Sequence, residues 1–331
     1  MIYALDQSHN LIDARFAIKE GKYFCPHCKK CVILKQGTKK ITHFSHARIA
    51  QTYCNKTESE SHHFLKLYIA SHFRDRNFKV DVECFIKKAY QYPDIVINDS
   101  DVIEIQFSQI TIATVLKRTN GLLESNFKVN WIILNPKYNI KTKYLILTHY
   151  QRAFINHHDR TLYTWDNAKL KLYCYFNIYY LGGKLFLADV REISVSDLLN
   201  HCQGTFSRKR FKLNNKKINR YIKQCQLKRS VLEPTLNVIY NMRLQLSDIC
   251  KYFGIIFPEQ LYIKSHPIYW QLQLYYLMET GRYSLERFIT KIEFNVFYIN
   301  DFNKKEIAQL IVDKFKSFYN EFKYNNVQKK S

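Results

Sequence analysis

The sequence predicts a mixed α/β core with a small Cys/His module ahead of it and a helical region behind, and three observations carry that prediction. Two Cys/His pairs fall within the first 55 residues. Between residues 56 and 135 the apolar pattern runs from helical to alternating, to helical again, and then to an apolar run. Between Gly204 and Leu232 there is no Asp or Glu but ten Lys or Arg, and the periodicity beyond is helical. The segments so marked are a zinc-ribbon-like module over 1–55, an α/β core over 56–203, and a basic segment with a helical domain over 204–331.

In the first segment Gly21 precedes a strand start at Tyr23 and Phe24, and Val32-Ile33-Leu34 makes a second strand before the Gln36-Gly37 turn. The polar stretch from Asn55 to Ser61 opens a helix capped by Ser59 or Ser61. Along that helix Phe64, Leu65, Tyr68, Ile69 and Phe73 recur at helical spacing. Three strands follow: Phe78 to Ile86 by alternation, Asp94 to Ile97 after Pro93, and Val102 to Phe107 after the Asn98-Asp99-Ser100 turn. Thr111 to Phe127 reads as a helix with Ile112, Val115, Leu116 and Leu123 inward. Val129 to Leu134 is a short strand ending in the apolar run from Trp131, as expected of a strand covered on both faces.

From 150 to 203 the chain is rich in Tyr, Phe and Leu, with Gly182-Gly183 as a turn, and predicts hairpins that extend the sheet. Farther on, Pro267 suits the first position of a helix and Gly281 its C-terminal cap. Ile307, Leu310, Ile311, Phe315, Phe318 and Phe322 mark a last amphipathic helix.

Apolar residues make up 47% and aromatics 15% of the chain, which excludes general disorder. Against 28 Asp+Glu stand 51 Lys+Arg, a net charge of +23 that favours a polyanionic partner, because each neutralised phosphate releases counterions. A membrane surface fits less well, since the basic residues sit among Tyr, Phe and Asn rather than along one helix face. No apolar run approaches a membrane span, and the start Met1-Ile2-Tyr3-Ala4-Leu5-Asp6 has no secretory pattern. Nine cysteines, an odd number, read as thiols or metal ligands, and the cytoplasm is the expected location.

Three constellations carry chemistry. Cys25 and Cys28, then fourteen residues, then His43 and His46 supply two pairs able to complete a tetrahedral Zn2+ shell, with Cys31 and Cys54 as spare candidates. Asp94 and Glu104, ten residues apart on neighbouring strands, are hard oxygen donors suited to Mg2+ or Mn2+, and Gln106 shares the strand face of Glu104. Glu58, His62 and Lys66 fall at i, i+4 and i+8, one stripe of a helix.

The order of these pieces resembles the competence protein CoiA family, within the wider PD-(D/E)xK nuclease superfamily. The matching stretches are FCPHCKKCVILKQGTKKITHFSHA from Phe24, ESESHHFLK from Glu58, YPDIVI from Tyr92, IEIQFS from Ile103, LKRT from Leu116 and VNWIIL from Val129. The resemblance implies a restriction-endonuclease-like mixed-sheet core, with Asp94 and Glu104 as metal carboxylates and Glu58 as the acid of the first helix. It also implies that His62, Lys66 and Arg118 line the phosphate side. Gln106 stands where the superfamily has Lys, and Leu122 where the family has a Tyr after the Arg-Thr pair.

The activity so implied is Mg2+- or Mn2+-dependent cleavage of DNA during natural transformation and recombination, with Zn2+ in a structural role. The competing reading is a catalytically weak module that holds single-stranded or branched DNA for a recombinase. In either, Arg208, Lys209, Arg210 and Lys212 open the segment expected to track nucleic acid, with Phe211 and Tyr221 as stacking rings.

Overall fold

The computed structural model describes residues 3–25, 29–36, 42–46, 59–199, 210–230 and 232–327, with the side chains of residues 11, 60 and 321–327 left aside. Two compact units make up the chain, Met1–Ser108 with Gly121–Asn130, and Gln109–Asn120 with Trp131–Ser331.

The first unit opens with a five-stranded antiparallel sheet, β1 (Tyr3–Leu5), β2 (Leu11–Asp13), β3 (Tyr23–Phe24), β4 (Cys31–Lys35) and β5 (His43–His46), in the order β2-β1-β3-β4-β5. Strand β4 alternates, with Val32 and Leu34 buried and Cys31, Ile33 and Lys35 outward. The buried face meets Ala4, Tyr23 and Phe44 in a small core of its own.

Helix α1 (Glu60–Arg74) starts where Ser59 Oγ accepts from the His62 N–H at 3.3 Å, which selects Ser59 from the two caps the sequence offers. Its inward face is Leu65, Lys66, Ile69, Ala70 and Phe73. Phe64 and Tyr68, expected inward, are exposed and stack on each other at 6.1 Å, because Lys66 occupies the buried stripe. The helix packs on an antiparallel sheet of β6 (Val80–Val82), β7 (Ile95–Ile97) and β8 (Asp101–Gln106). Strand β6 has three residues, not the nine the alternation predicts. Glu83 takes a left-handed φ of 52°, which bends the chain and interrupts the pleat.

Helix α2 (Ile112–Leu123) and strand β9 (Lys128–Leu134) each run through a unit boundary. The inward face of α2 is Val115, Thr119 and Leu122, whereas Ile112, Leu116 and Leu123 are only half-buried. Thr119 earns its inward place by accepting from Trp131 Nε1–H at 3.0 Å. Leu122 is a core residue here, which accounts for an aliphatic side chain at that position.

In the second unit β9 is followed by β10 (Lys137–Asn139), β11 (Tyr144–Ile146), the short α3 (His149–Arg152), β12 (Leu162–Asp166), β13 (Lys171–Gly182) and β14 (Leu185–Ile193). Their order is β10-β11-β14-β13-β12-β9, a mixed sheet in which β9 and β12 are parallel and the other pairs antiparallel. Gly182 and Gly183, with φ of 108° and 59°, close the long β13–β14 hairpin.

A two-stranded ribbon of β15 (Phe211–Lys212) and β16 (Ile255–Ile256) lies among the C-terminal helices. These are α4 (Asn215–Leu227), α5 (Pro234–Asn241), α6 (Leu246–Tyr252), α7 (Pro267–Glu279), α8 (Leu285–Thr290) and α9 (Lys304–Val327). Pro267 is the first residue of α7, with His266 as its cap, and Gly281 follows the helix at a φ of 65°. In α9, Ile311, Phe315 and Phe318 are buried, Ile307 is half-buried and Leu310 faces solvent; the Phe322 side chain lies outside the described residues. Among the described residues no helix is long and apolar enough to cross a membrane.

Candidate functional site

One turn apart on α1, His62 and Lys66 face the same side, toward Asp94 just ahead of β7. Strand alternation puts Glu104 and Gln106 on one face of β8, and Asp94 immediately precedes β7. All five side chains are buried, and Lys66 and Glu104 have no exposed surface.

The geometry centres on Asp94. Its Oδ1 lies 3.2 Å from Lys66 Nζ and 3.2 Å from His62 Nε2, the second contact being close without the angle of a hydrogen bond. Its Oδ2 accepts the Ile105 N–H at 2.8 Å, while its own N–H donates to Glu104 Oε2 at 3.3 Å. The carboxylates of Asp94 and Glu104 are thus tied to each other's strands. Lys66 Nζ donates to Glu83 Oε1 at 2.7 Å. A buried ammonium is expensive without anionic partners, and among the described residues Glu83 and Asp94 serve as such partners.

Glu83 is the member that sequence reasoning missed. In the alternation Val80, Val82, Cys84 it falls on the outer phase, and only the left-handed backbone turns it inward. No residue type marks such a bend at a glutamate. The Gln106 amide nitrogen is held by the next turn: Nε2 donates to Ser108 O at 2.7 Å and to Ser108 Oγ at 3.1 Å. Glu58 lies outside the described residues. Arg118 belongs to the second unit, where its guanidinium sits 5.4 Å over the Trp131 ring.

Next to the N-terminal sheet Cys25 is buried, donating its N–H to Lys30 O at 2.8 Å, and its carbonyl accepts the Lys29 N–H at 2.9 Å. Cys28 lies outside the described residues, as does Cys54. His46 pairs with Val32, and His43 with Lys35. Residues three apart on a strand point to opposite faces, so His46 shares the buried face with Tyr23 and Cys25, and His43 the outer one. Burial lowers the His46 pKa and favours its neutral ring.

Of the basic segment, Arg208 and Lys209 lie outside the described residues. Arg210 lies 5.2 Å over the Phe318 ring, and Lys212 Nζ donates to the Lys251 carbonyl. The two aromatics expected to stack on bases are occupied by protein rings. Phe211 meets Tyr179 edge-on at 5.2 Å, and Tyr221 stacks on His266 at 3.7 Å. Helix α4 instead buries Ile218, Ile222 and Cys225 and exposes Lys216, Arg220 and Lys223 on its other side. A cavity of about 520 Å3 beside it is lined by Arg152, Lys184, Lys217, Arg220 and Lys264, with no carboxylate among its lining residues. Arg152, Lys184 and Lys264 come from the sheet region and from the turn before α7, too far apart in sequence to read as one patch.

A helix laid on a sheet, with a buried lysine among carboxylates, and a cysteine- and histidine-bearing sheet before it define a mixed α/β protein. Two family models match: competence protein CoiA, nuclease-like domain, over residues 58–203, and competence protein CoiA, N-terminal domain, over residues 7–55. The chain belongs to the competence protein CoiA family. No curated protein and no solved structure matches it.

Proposed function

We propose that this competence protein is a DNA phosphodiesterase whose centre is the cluster of Lys66, Glu83, Asp94 and Glu104. The observation that carries the reading is charge: of three buried carboxylates, Glu83 and Asp94 pair with the one ammonium of Lys66, and Glu104 accepts from the Asp94 N–H. With all four ionised, the described cluster keeps an excess of negative charge in a low-dielectric site, which suits a divalent cation with hard oxygen ligands. Asp94 and Glu104 would hold Mg2+ or Mn2+, which when bound polarises a phosphodiester and lowers the pKa of a water. Lys66 restrains the Asp94 carboxylate and places a fixed positive charge where phosphate charge develops. His62, with Nε2 beside Asp94 Oδ1, is placed to hold or move a proton at that nitrogen. Gln106, its amide nitrogen held by Ser108, presents Oε1 as an acceptor for a water.

The exposed cations of α4 and the basic cavity beside it would take the DNA backbone, with single-stranded or branched DNA as the substrate class. Cys25, Cys28 and His46 would bind a structural Zn2+, with His43, on the outer face, as the fourth residue to test. A second reading, a DNA-holding module for a recombinase, is favoured by one observation: Lys66 already neutralises part of the cluster. Calorimetric titration with Mn2+ tests the metal site. Wild type should bind one ion that Glu104→Gln loses, and equal stoichiometry in both would remove the metal from the account.

A further inference from the structure

Away from that cluster, the second unit brings His157, His158 and Asp301 together. His157 and His158 lie in the turn before β12, and Asp301 lies just ahead of α9. His157 Nε2 and His158 Nε2 each stand 3.2 Å from the same oxygen, Asp301 Oδ1. The three donor atoms all fall within 4.8 Å of one another.

We infer that His157, His158 and Asp301 form a second metal site, for a borderline divalent transition cation of the Zn2+ class. Four features point to it. His157 is 1% exposed, yet neither of its ring nitrogens has a hydrogen-bond partner. An unmet imidazole so deeply buried is costly unless something else satisfies it. The spacing suits coordination: ligands about 2.0–2.1 Å from a tetrahedral ion lie roughly 3.3 Å apart along each edge, close to both nitrogen-to-oxygen separations. The ring is held rigidly, stacked at 9° on Phe297 with centroids 5.0 Å apart and edge-on to Tyr262 and Phe302. Finally, His158 and Asp301 are more than half exposed, so an ion can enter from solvent and keep water in its remaining positions.

Desolvation holds the His157 pKa down at about 4, which keeps the ring neutral, the state a ligand needs. One departure from common metal sites concerns the other nitrogen. Nδ1 usually donates to an outer acceptor, and here aromatic packing orients the ring instead. Two imidazoles and a carboxylate, with no thiolate, select Zn2+, Co2+ or Ni2+ over Mg2+. The site would fasten the His157–His158 turn to the segment that leads into α9.

The test uses the full chain, loaded with Co2+ as a spectroscopic probe, in wild type, Asp301→Ala and His158→Ala. Both side chains are exposed, and unchanged melting of the metal-free variants checks the fold. Wild type should bind one Co2+ more than either variant, and the difference spectrum should show d–d bands without thiolate charge transfer. That signature separates the site from the Cys25/Cys28 module, and the variants leave Asp94 and Glu104 untouched. Zn2+ should raise the melting temperature of wild type more than that of Asp301→Ala. Equal stoichiometry and equal Zn2+ response in wild type and both variants would overturn the site.

Discussion

Lys66 and Trp270 are both fully buried, yet the first sits among carboxylates and the second among rings. Around Lys66 stand Glu83 and Asp94, with His62 close by. Around Trp270 stand Phe288 at 6.2 Å and Phe315 at 5.7 Å, and its one polar atom donates to Gln260 Oε1. The second arrangement is what stability alone favours, since ring burial removes apolar area from water and the indole N–H is satisfied. The first is not, because ions in a core seldom outdo apolar side chains of similar volume. A centre built of ions in a chain able to build one of rings is what the proposed function requires of the first.

Substitutions at the two centres sharpen that contrast. Trp270→Ala should cost about 3–5 kcal/mol by loss of packing and an unfilled cavity. Lys66→Met should cost a similar amount, about 3–5 kcal/mol, by leaving Glu83 and Asp94 buried without their ammonium. Urea denaturation with and without Mg2+ separates them: the ion should restore part of the loss in Lys66→Met and none in Trp270→Ala. No Mg2+ response at Lys66 would make the charged centre a structural salt bridge.

Acid should strike the ring-lined region through His266. Desolvation lowers its pKa from 6.5 to about 3, and Nδ1 accepts the Ile268 N–H at 3.2 Å, which a protonated nitrogen cannot do. The unfolded chain therefore binds the proton first, so the contribution is complete above about pH 6.5 and is lost as pH falls toward 3. His266→Asn keeps a capping acceptor and should flatten the fall in stability across that window, read by denaturation at pH 7 and pH 4.5.

The smallest expected effect is at the surface. Replacing Lys216, Arg220 and Lys223 by Ala should reduce the slope of log affinity against log salt by roughly 0.7 per lost single-strand phosphate contact. Arg210→Ala with Lys212→Ala should change it less, because Phe318 and the Lys251 carbonyl already engage those cations. The reverse ranking would move the DNA footprint to the start of the segment.

Much of this was legible before any coordinates. Ser59 announces α1, Pro267 and Gly281 bracket α7, and Gly182-Gly183 marks the hairpin, because caps and turns depend on local chemistry. Asp94 and Glu104 stood out as acids beside or within apolar strands. What stayed hidden depended on conformation or on distant chain. Glu83 enters the cluster through a left-handed φ that nothing in its side chain advertises. Tyr221 seemed available for bases, but His266, forty-five residues on, covers it. The inward face of α2 shifted by one position because Thr119 bonds Trp131, a contact between elements that helical periodicity does not see.

The central claim is that the Asp94 cluster cuts DNA, and single-turnover cleavage of single-stranded, duplex and branched DNA with Mg2+ or Mn2+ tests it most directly. Wild type should cleave at least one of these substrates. Asp94→Asn should abolish cleavage while leaving DNA affinity equal or slightly higher, since a negative charge near phosphate is gone. Gln106→Lys should preserve or raise the rate by adding a cation on the face of Glu104. If wild type and Gln106→Lys bind DNA yet cut no substrate with either ion, the cluster is a fold-stabilising remnant and the protein holds DNA without cleaving it.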